Sequence, residues 1–537
     1  MELKNKHLHF LEAATIMVFC LLPLTIDFPY RINIFLSWEG AYRLSQGQIP
    51  FKDFGMPLGF VYWIIPAAFF KIFGPMLITL VKAQVFLNIV AALTFLQILK
   101  VLGVKPVERF LTLLIFCLTF ILLNFWPWYN SSVFIFQLLS IYFILSAMKS
   151  ESKYKTILLP AAGALFSVLA FFTKQDGGGL AIMLNIALLA YFLINTRKYR
   201  QAVAYFVALI VFMCAFIIPF IPYDFKYWFN YGQYPHTSRI DAKTLIDFWL
   251  GGSYLIKLYL TVIVLIIAID IKKLGFRRYI ANTEKMIFTL LTLGILAQAA
   301  IIQVTSYVPP DNNIYFHSFS IAYILSGVRI PFGVRKLGFI IPAVLAIMFW
   351  WSGRYYKYID RIVARILPES SASGVTVSTY RNGEQEEAEN SDESMHKWVF
   401  IPEMKTFKGI YMPESTVEGI RRLSNMEIFK RPDPKVLNMT ELTPLAEELG
   451  FKLETGPEIP LWYHLNVSMF DRELDMYKDK IRNKYYDVVL FEYIPNLNNF
   501  YPFEVRDALN LEYKKVDVFA APRRHGGNPV IEVYVKE

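Results

Sequence analysis

The chain has 537 residues, 55% apolar, 16% aromatic and only 18% charged, with a mean hydropathy of +0.39. That is too apolar for a soluble globule of this length. A net charge of +10 would suggest nucleic acid in a soluble protein, but most of the excess lies in short loops between apolar runs, where it reports topology.

The first apolar run, 10–28, has no small-residue cleavage site after a short apolar core. It is therefore expected to be a retained helix. A polar stretch follows, "WEGAYRLSQGQIPFKDFGMPLG" at 38–59. The apolar run 57–74 is broken by Pro66 and ends at Phe73-Gly74-Pro75, so a short interfacial helix is expected there. Further runs lie at 76–99, 110–127, 131–148, 156–173, 178–195, 201–221, 253–270, 286–304, 315–330 and 337–352. With the first run, each reaching the length of about 20 residues that spans hydrocarbon, they make about 11 expected transmembrane helices.

Alternate loops differ in lysine and arginine. One set carries Lys4 and Lys6, Lys100 to Arg109, Lys149 to Lys155, Arg197 to Arg200, Lys272 to Lys285, and Arg335 and Lys336. The other set is poorer although its loops are longer. The positive-inside rule makes the richer set cytoplasmic. The N-terminus is then inside. The first loop, the loops at 222–250 and 305–314, and the C-terminal part are outside. Asp27, Glu39, Asp53, Asp176, Asp224, Asp241, Asp247 and Asp311 all fall on the outer side of this reading.

Beyond residue 353 the composition changes. Residues 354–395 read as a juxtamembrane segment and a Ser/Glu-rich linker. Within 396–537, "STVEGIRRLSNMEIF" and "FDRELDMYKDKIRNKYY" have helical spacing, and "KVLNM", "DVVLF", "YKKVDVFA" and "VIEVYV" are short strand candidates. A small extracytoplasmic α/β domain is expected. It has no GxGxxG or P-loop, so nucleotide binding has no support. Cys20, Cys117 and Cys214 all lie in apolar runs, so no disulfide framework holds the polar part. No Cys/His cluster has zinc spacing.

The first loop holds Glu39 and Asp53 in a segment with Gly47, Gly55 and Gly59, while Tyr62 and Trp63 suit the headgroup level. This loop suits the display of carboxylates at a lipid boundary. An acidic residue after the first helix, then "GQIPFKDF", then "PLGFVYW…FFKIFG", resembles the first outer loop of the GT-C glycosyltransferases of the protein mannosyltransferase and lipid A aminoarabinose transferase type. The resemblance is best over the first 75 or so residues, with "FFTKQDGG" and "NNIYFHSF" agreeing further along.

The resemblance implies a GT-C-like transmembrane domain over 1–353, with the site in the loop 28–75. It implies transfer of a sugar from a polyprenyl-phosphate donor to a glycan, lipid or protein acceptor outside, with inversion, in a bacterial inner membrane. A carboxylate would act as general base. The family usually has its acidic residue about fourteen positions before the loop glycine, where this chain has Asn33, so Glu39, then Asp53, then Asp27 are the candidates. The leaving phosphate needs cationic or hydrogen-bonding partners. Arg31, Arg43, Lys52, Lys174, Gln175, His236 and Arg239 are candidates, with Tyr42, Asp176, Tyr315 and His317 for the rest of the substrate. Each has an ordinary alternative as a snorkelling, loop or interfacial residue. No cofactor and no metal are expected, with a divalent cation held by paired acids the open alternative. A lipid-linked-sugar transporter or flippase, a polymer ligase and a non-catalytic scaffold are the competing readings.

Overall fold

The computed structural model describes residues 2–31, 34–233, 242–305, 315–328, 333–366, 398–495, 497–498, 500–522 and 528–537. In chain order the elements are α1 (Asn5–Leu21), β1 (Phe28–Pro29), α2 (Ile34–Ser45), α3 (Ile64–Phe73), α4 (Leu77–Val101), α5 (Pro106–Thr119), α6 (Tyr129–Lys149), α7 (Lys155–Phe171), α8 (Gln175–Thr196), α9 (Arg200–Ile217) and α10 (Ala242–Asp247). There follow α11 (Tyr254–Leu274), α12 (Phe276–Ala281), α13 (Thr283–Thr305), α14 (Tyr315–Gly327), α15 (Leu337–Trp350) and α16 (Ser352–Ile366). The rest are β2 (Trp398–Phe400), β3 (Ile410–Pro413), α17 (Glu414–Asn425), β4 (Val436–Met439), α18 (Leu445–Glu448), α19 (Phe470–Arg482), β5 (Val488–Tyr493), α20 (Phe503–Glu512), β6 (Lys514–Ala520) and β7 (Val530–Val535).

Each of the eleven expected apolar runs contains a helix over most of its described residues. Among the described residues, eight helices are long and apolar enough to cross a membrane: α1, α4, α5, α6, α8, α9, α11 and α13, some with short extensions. The runs at 156–173, 315–330 and 337–352 form shorter helices of 17, 13 and 14 residues. The run 57–74 is a 3-10 turn continuing into α3 and ending at Gly74, whose φ is +83°.

The chain divides into two compact units. The first comprises Met1–Leu22, Val85–Pro219 and Ser238–Tyr355. It is a helix bundle in which α6 packs on α7, α7 on α9, α8 on α13, and α5 on both α1 and α14. Hydrocarbon offers no hydrogen-bond partner, so polar side chains inside such a bundle must satisfy one another. Ser140, Ser167, Asn185 and Tyr205 form such a network, with the Ser140 and Ser167 hydroxyls 2.8 Å apart and Asn185 Nδ2 donating to Ser140 at 2.7 Å, while Asn185 Oδ1 has no partner among the described residues. Arg109 Nε donates to Glu12 at 2.6 Å between α5 and α1. By contrast α9 leaves Ile210 and Val211 more than half exposed, as befits a lipid-facing helix.

The second unit comprises Pro23–Gln84, Phe220–Thr237 and Tyr356–Glu537. Its main sheet has the order β4-β5-β7-β6, with β4 parallel to β5 and the other pairs antiparallel. The expected strands "KVLNM", "DVVLF", "YKKVDVFA" and "VIEVYV" are these four. Val489 and Phe491 of β5 pack with Tyr477 and Ile481 of α19 and Val505 and Leu509 of α20. A second sheet, β1-β3-β2, takes its first strand from the first loop, because Phe28 and Pro29 pair with Ile410 and Tyr411. First loop and C-terminal part therefore fold as one body.

Gly40 lies under the Trp63 indole, where an added Cβ would sit 1.9 Å from the ring. The indole Nε1 is held by the Leu36 carbonyl at 2.8 Å, so the ring has no easy retreat. Gly40→Ala is expected to destabilise the fold by about 1–3 kcal/mol, read as a lower melting temperature. Gly338→Ala, with open space around its Cβ, should melt like the wild type.

Candidate functional site

In the second unit, α2 carries Glu39 and Arg43 one turn apart. Arg43 Nε donates to Glu39 Oε1 at 2.8 Å, and both residues are buried. Arg43 Nη1 donates to Gln48 Oε1 and to the Glu454 carbonyl, each at 2.9 Å, and its guanidinium lies 5.3 Å from the Phe54 ring centroid. Burial pushes the Glu39 carboxyl up, against the lowering effect of Arg43. The pair is thus built into the fold.

Asp53 Oδ2 accepts the Ile49 N–H at 2.7 Å, closing the turn that holds Phe51 at a φ of +66°. The same turn is tied to the C-terminal part through Gly456 N–H to Asp53 O, Gly55 N–H to Ile459 O and Leu461 N–H to Gly55 O, at 2.8, 2.8 and 3.0 Å. Asp27 differs. It is half-buried beside Gly409 at the start of β1, and its carboxylate has no hydrogen-bond or ion-pair partner among the described residues.

Tyr42 stacks on Trp38 at 4.5 Å and donates to Glu447 at 3.1 Å. Lys52 is exposed, with its ammonium 5.9 Å from the Tyr223 ring centroid. Arg31 is exposed just after β1. His236 and Arg239 lie outside the described residues.

In the first unit, a polar cluster forms where α6, α8 and α14 begin and α13 ends. Lys174 Nζ is 3.1 Å from Asp176 Oδ2. Asp176 also accepts from the Gly177 N–H at 2.7 Å and from Thr305 Oγ1 at 2.6 Å. The Lys174 ammonium lies 5.7 Å from the Tyr129 ring centroid. Tyr315 is buried and stacked on Phe134 at 3.9 Å. Its hydroxyl, like that of buried Ser132, has no hydrogen-bond partner among the described residues. Gln175 opens α8 at partial exposure. Such a cluster offers one cation, whose charge Asp176 largely matches, and spare hydroxyl donors; that set suits a phosphate oxygen. His317 sits deeper in α14, with Nδ1 3.0 Å from Tyr259 Oη.

Sequence reasoning named Lys174, Gln175, Asp176 and Tyr315, which come together, and Glu39 with Arg43, which do too. It missed Thr305 and Ser132, since a lone hydroxyl in an apolar run carries no signal of its own. It also missed Glu473 on α19. That carboxyl accepts a hydrogen bond from the Tyr227 hydroxyl, while Oε2 has no partner among the described residues. Burial pushes its pKa up to about 8. Among the described residues, no three His, Cys, Asp or Glu are grouped as a metal site.

The fold is similar to that of ArnT from Cupriavidus metallidurans bound to undecaprenyl phosphate, with a TM-score of 0.52 and 11% identity over 98% of this chain and 97% of that one. The apo state of the same protein gives 0.52 and 12%, over 98% of both chains. The chain has the fold of ArnT. It is an integral, multi-pass membrane protein whose polar C-terminal part is a small α/β region. Arabinofuranosyltransferase AftD from Mycobacteria aligns more loosely, at a TM-score of 0.43 with 11% identity, over all of this chain and 42% of that one. No protein-family signature and no curated protein matches the sequence. A fold shared at such low identity shows how the chain is built, and its chemistry has to be argued from the residues.

Glu473 gives a pH prediction. Its folded value, about 8, stands above the ordinary carboxyl value, so folding favours the protonated form. Its contribution to stability is full below the ordinary value and is lost as pH rises through about 8. The melting temperature of the purified protein should therefore fall between pH 5 and 9, and Glu473→Gln should flatten that slope.

Proposed function

We propose that this chain is a membrane glycosyltransferase that takes a sugar from a polyprenyl-phosphate carrier and passes it to an extracytoplasmic acceptor. The observation that carries the reading is the GT-C fold over 98% of the chain, shared with a protein solved with undecaprenyl phosphate bound. The polar cluster of the first unit supports it. In the first unit, Lys174 and the hydroxyls of Tyr315 and Ser132, unpartnered among the described residues, are donors of the kind a phosphate takes. In the second unit, Arg31 and Lys52 are the candidates for the leaving phosphate.

The general base must offer a free lone pair to the acceptor hydroxyl. Glu39 holds Arg43 and Asp53 closes its own turn. Asp27, partnerless among the described residues, is the carboxylate we assign to the role. It takes the acceptor proton as the oxygen bonds to the anomeric carbon. The bond from that carbon to the phosphate oxygen breaks, and polyprenyl phosphate leaves with the electron pair. Attack opposite the leaving group inverts the configuration. The N-terminus is cytoplasmic and the site extracytoplasmic in this reading, from the lysine and arginine asymmetry.

Full-length protein in liposomes containing a polyprenyl-phosphate sugar tests this. Asp27→Asn should lower turnover by about 10²–10⁴ with unchanged melting. Glu39→Gln leaves a buried guanidinium poorly compensated and should cost about 3–5 kcal/mol of stability, while the folded fraction still turns over. Asp27→Asn turning over like the wild type would remove the base assignment. Wild-type protein that uses soluble nucleotide sugars and ignores lipid-linked ones would overturn the function.

A further inference from the structure

We propose that a cleft inside the second unit, between α2 and the C-terminal sheet region, is a subsite for the hydroxylated ring edge of a neutral glycan. This names the acceptor class and rests on the glycosyltransferase reading. The cleft is walled by Glu39 and Arg43 of α2 and by Thr443, Tyr463, Tyr477 and Tyr501. Its free space is about 50 Å³, room for about three or four water-sized groups. That suits two or three hydroxyls on one edge of a sugar ring.

Two features indicate a ligand. Thr443 is only 3% exposed, yet its Oγ1 has no hydrogen-bond partner among the described residues. A buried hydroxyl left unsatisfied is unfavourable, so a group that bonds it is favoured there. The cleft is also lined by aromatic side chains, with Tyr463 5.6 Å from Tyr477 and 6.0 Å from Tyr501 between ring centroids. Aromatic side chains pack against the C–H groups at a sugar's edge while hydroxyl and carboxylate groups bond its hydroxyls. The charge argues for a neutral ligand. Arg43 is matched by Glu39 and donates also to Gln48 and to the Glu454 carbonyl, so the cleft has no surplus cation for a phosphate.

The test uses the full-length wild-type protein in nanodiscs without any donor. Binding of methyl α-D-mannopyranoside, methyl β-D-glucopyranoside and methyl α-L-arabinopyranoside is measured by saturation-transfer NMR. At least one should bind, and inorganic phosphate should not displace it. Thr443→Val removes the hydroxyl at nearly constant shape and should weaken binding about five- to tenfold, the value of one hydrogen bond. Thr443→Met fills the space and should abolish binding, with both variants melting like the wild type. Binding of none of the three sugars, displacement by phosphate, or wild-type binding by both variants would overturn the proposal. A wild-type protein that binds sugar here but never turns over a polyprenyl-phosphate sugar would keep the subsite and refute the transferase reading. Turnover without sugar binding would do the reverse.

Discussion

The second unit depends on the burial of one guanidinium. Arg43 is 3% exposed, and a cation so placed is tolerated only when its donors are matched. Glu39 supplies the counter-charge from one turn back on α2, Gln48 supplies an amide oxygen from the following turn, and the Glu454 backbone supplies a carbonyl from over four hundred residues further along. These bonds dictate where α2 ends, how the chain turns after it and which C-terminal segment lies against it. The backbone bonds of Asp53 and Gly55 to Gly456, Ile459 and Leu461 extend the same seam. The density of glycine, proline and charge in the first loop is thereby explained: it is an interlocking edge, shaped to carry the C-terminal region.

This has a consequence for catalysis. A carboxylate that neutralises a buried cation is poorly suited to take a proton, since protonation would strand the cation. The structural demand on Glu39 and the turn-closing bond of Asp53 separate them from Asp27, whose oxygens are unclaimed among the described residues. In the first unit, hydrocarbon imposes the opposite discipline. Polar groups there turn to one another, as in the Ser140, Ser167, Asn185 and Tyr205 network. The Tyr315 and Ser132 hydroxyls are among the buried polar atoms left without a partner among the described residues.

Sequence periodicity was enough to find the apolar helices, α17, α19 and the four strands of the main sheet, because burial against lipid or against a sheet face writes a long, repeated apolar pattern; α2, in a stretch read as loop, and α20 were not expected. The two-residue strand at Phe28–Pro29 left no such pattern; its partner is almost four hundred positions away. Lys174, Gln175, Asp176 and Tyr315 could be picked out because charge and aromatic hydroxyls at the ends of apolar runs are conspicuous. Thr305, Ser132, Thr443 and Glu473 could not. Each is an ordinary residue made unusual only by the neighbours the fold brings to it.

The amino-acid sequence by itself determined that the chain is a polytopic helical membrane protein with a polar α/β region at its end, and that its first loop is chemically distinctive. These are properties of local composition and spacing, which need no knowledge of distant contacts. Only the tertiary structure decided which acids of that loop are occupied. Glu39 and Asp53 read alike in the sequence, as carboxylates in one short segment, but the availability of a lone pair depends on which donors other parts of the chain bring within hydrogen-bond reach. That is decided by folding, and it leaves Asp27 open.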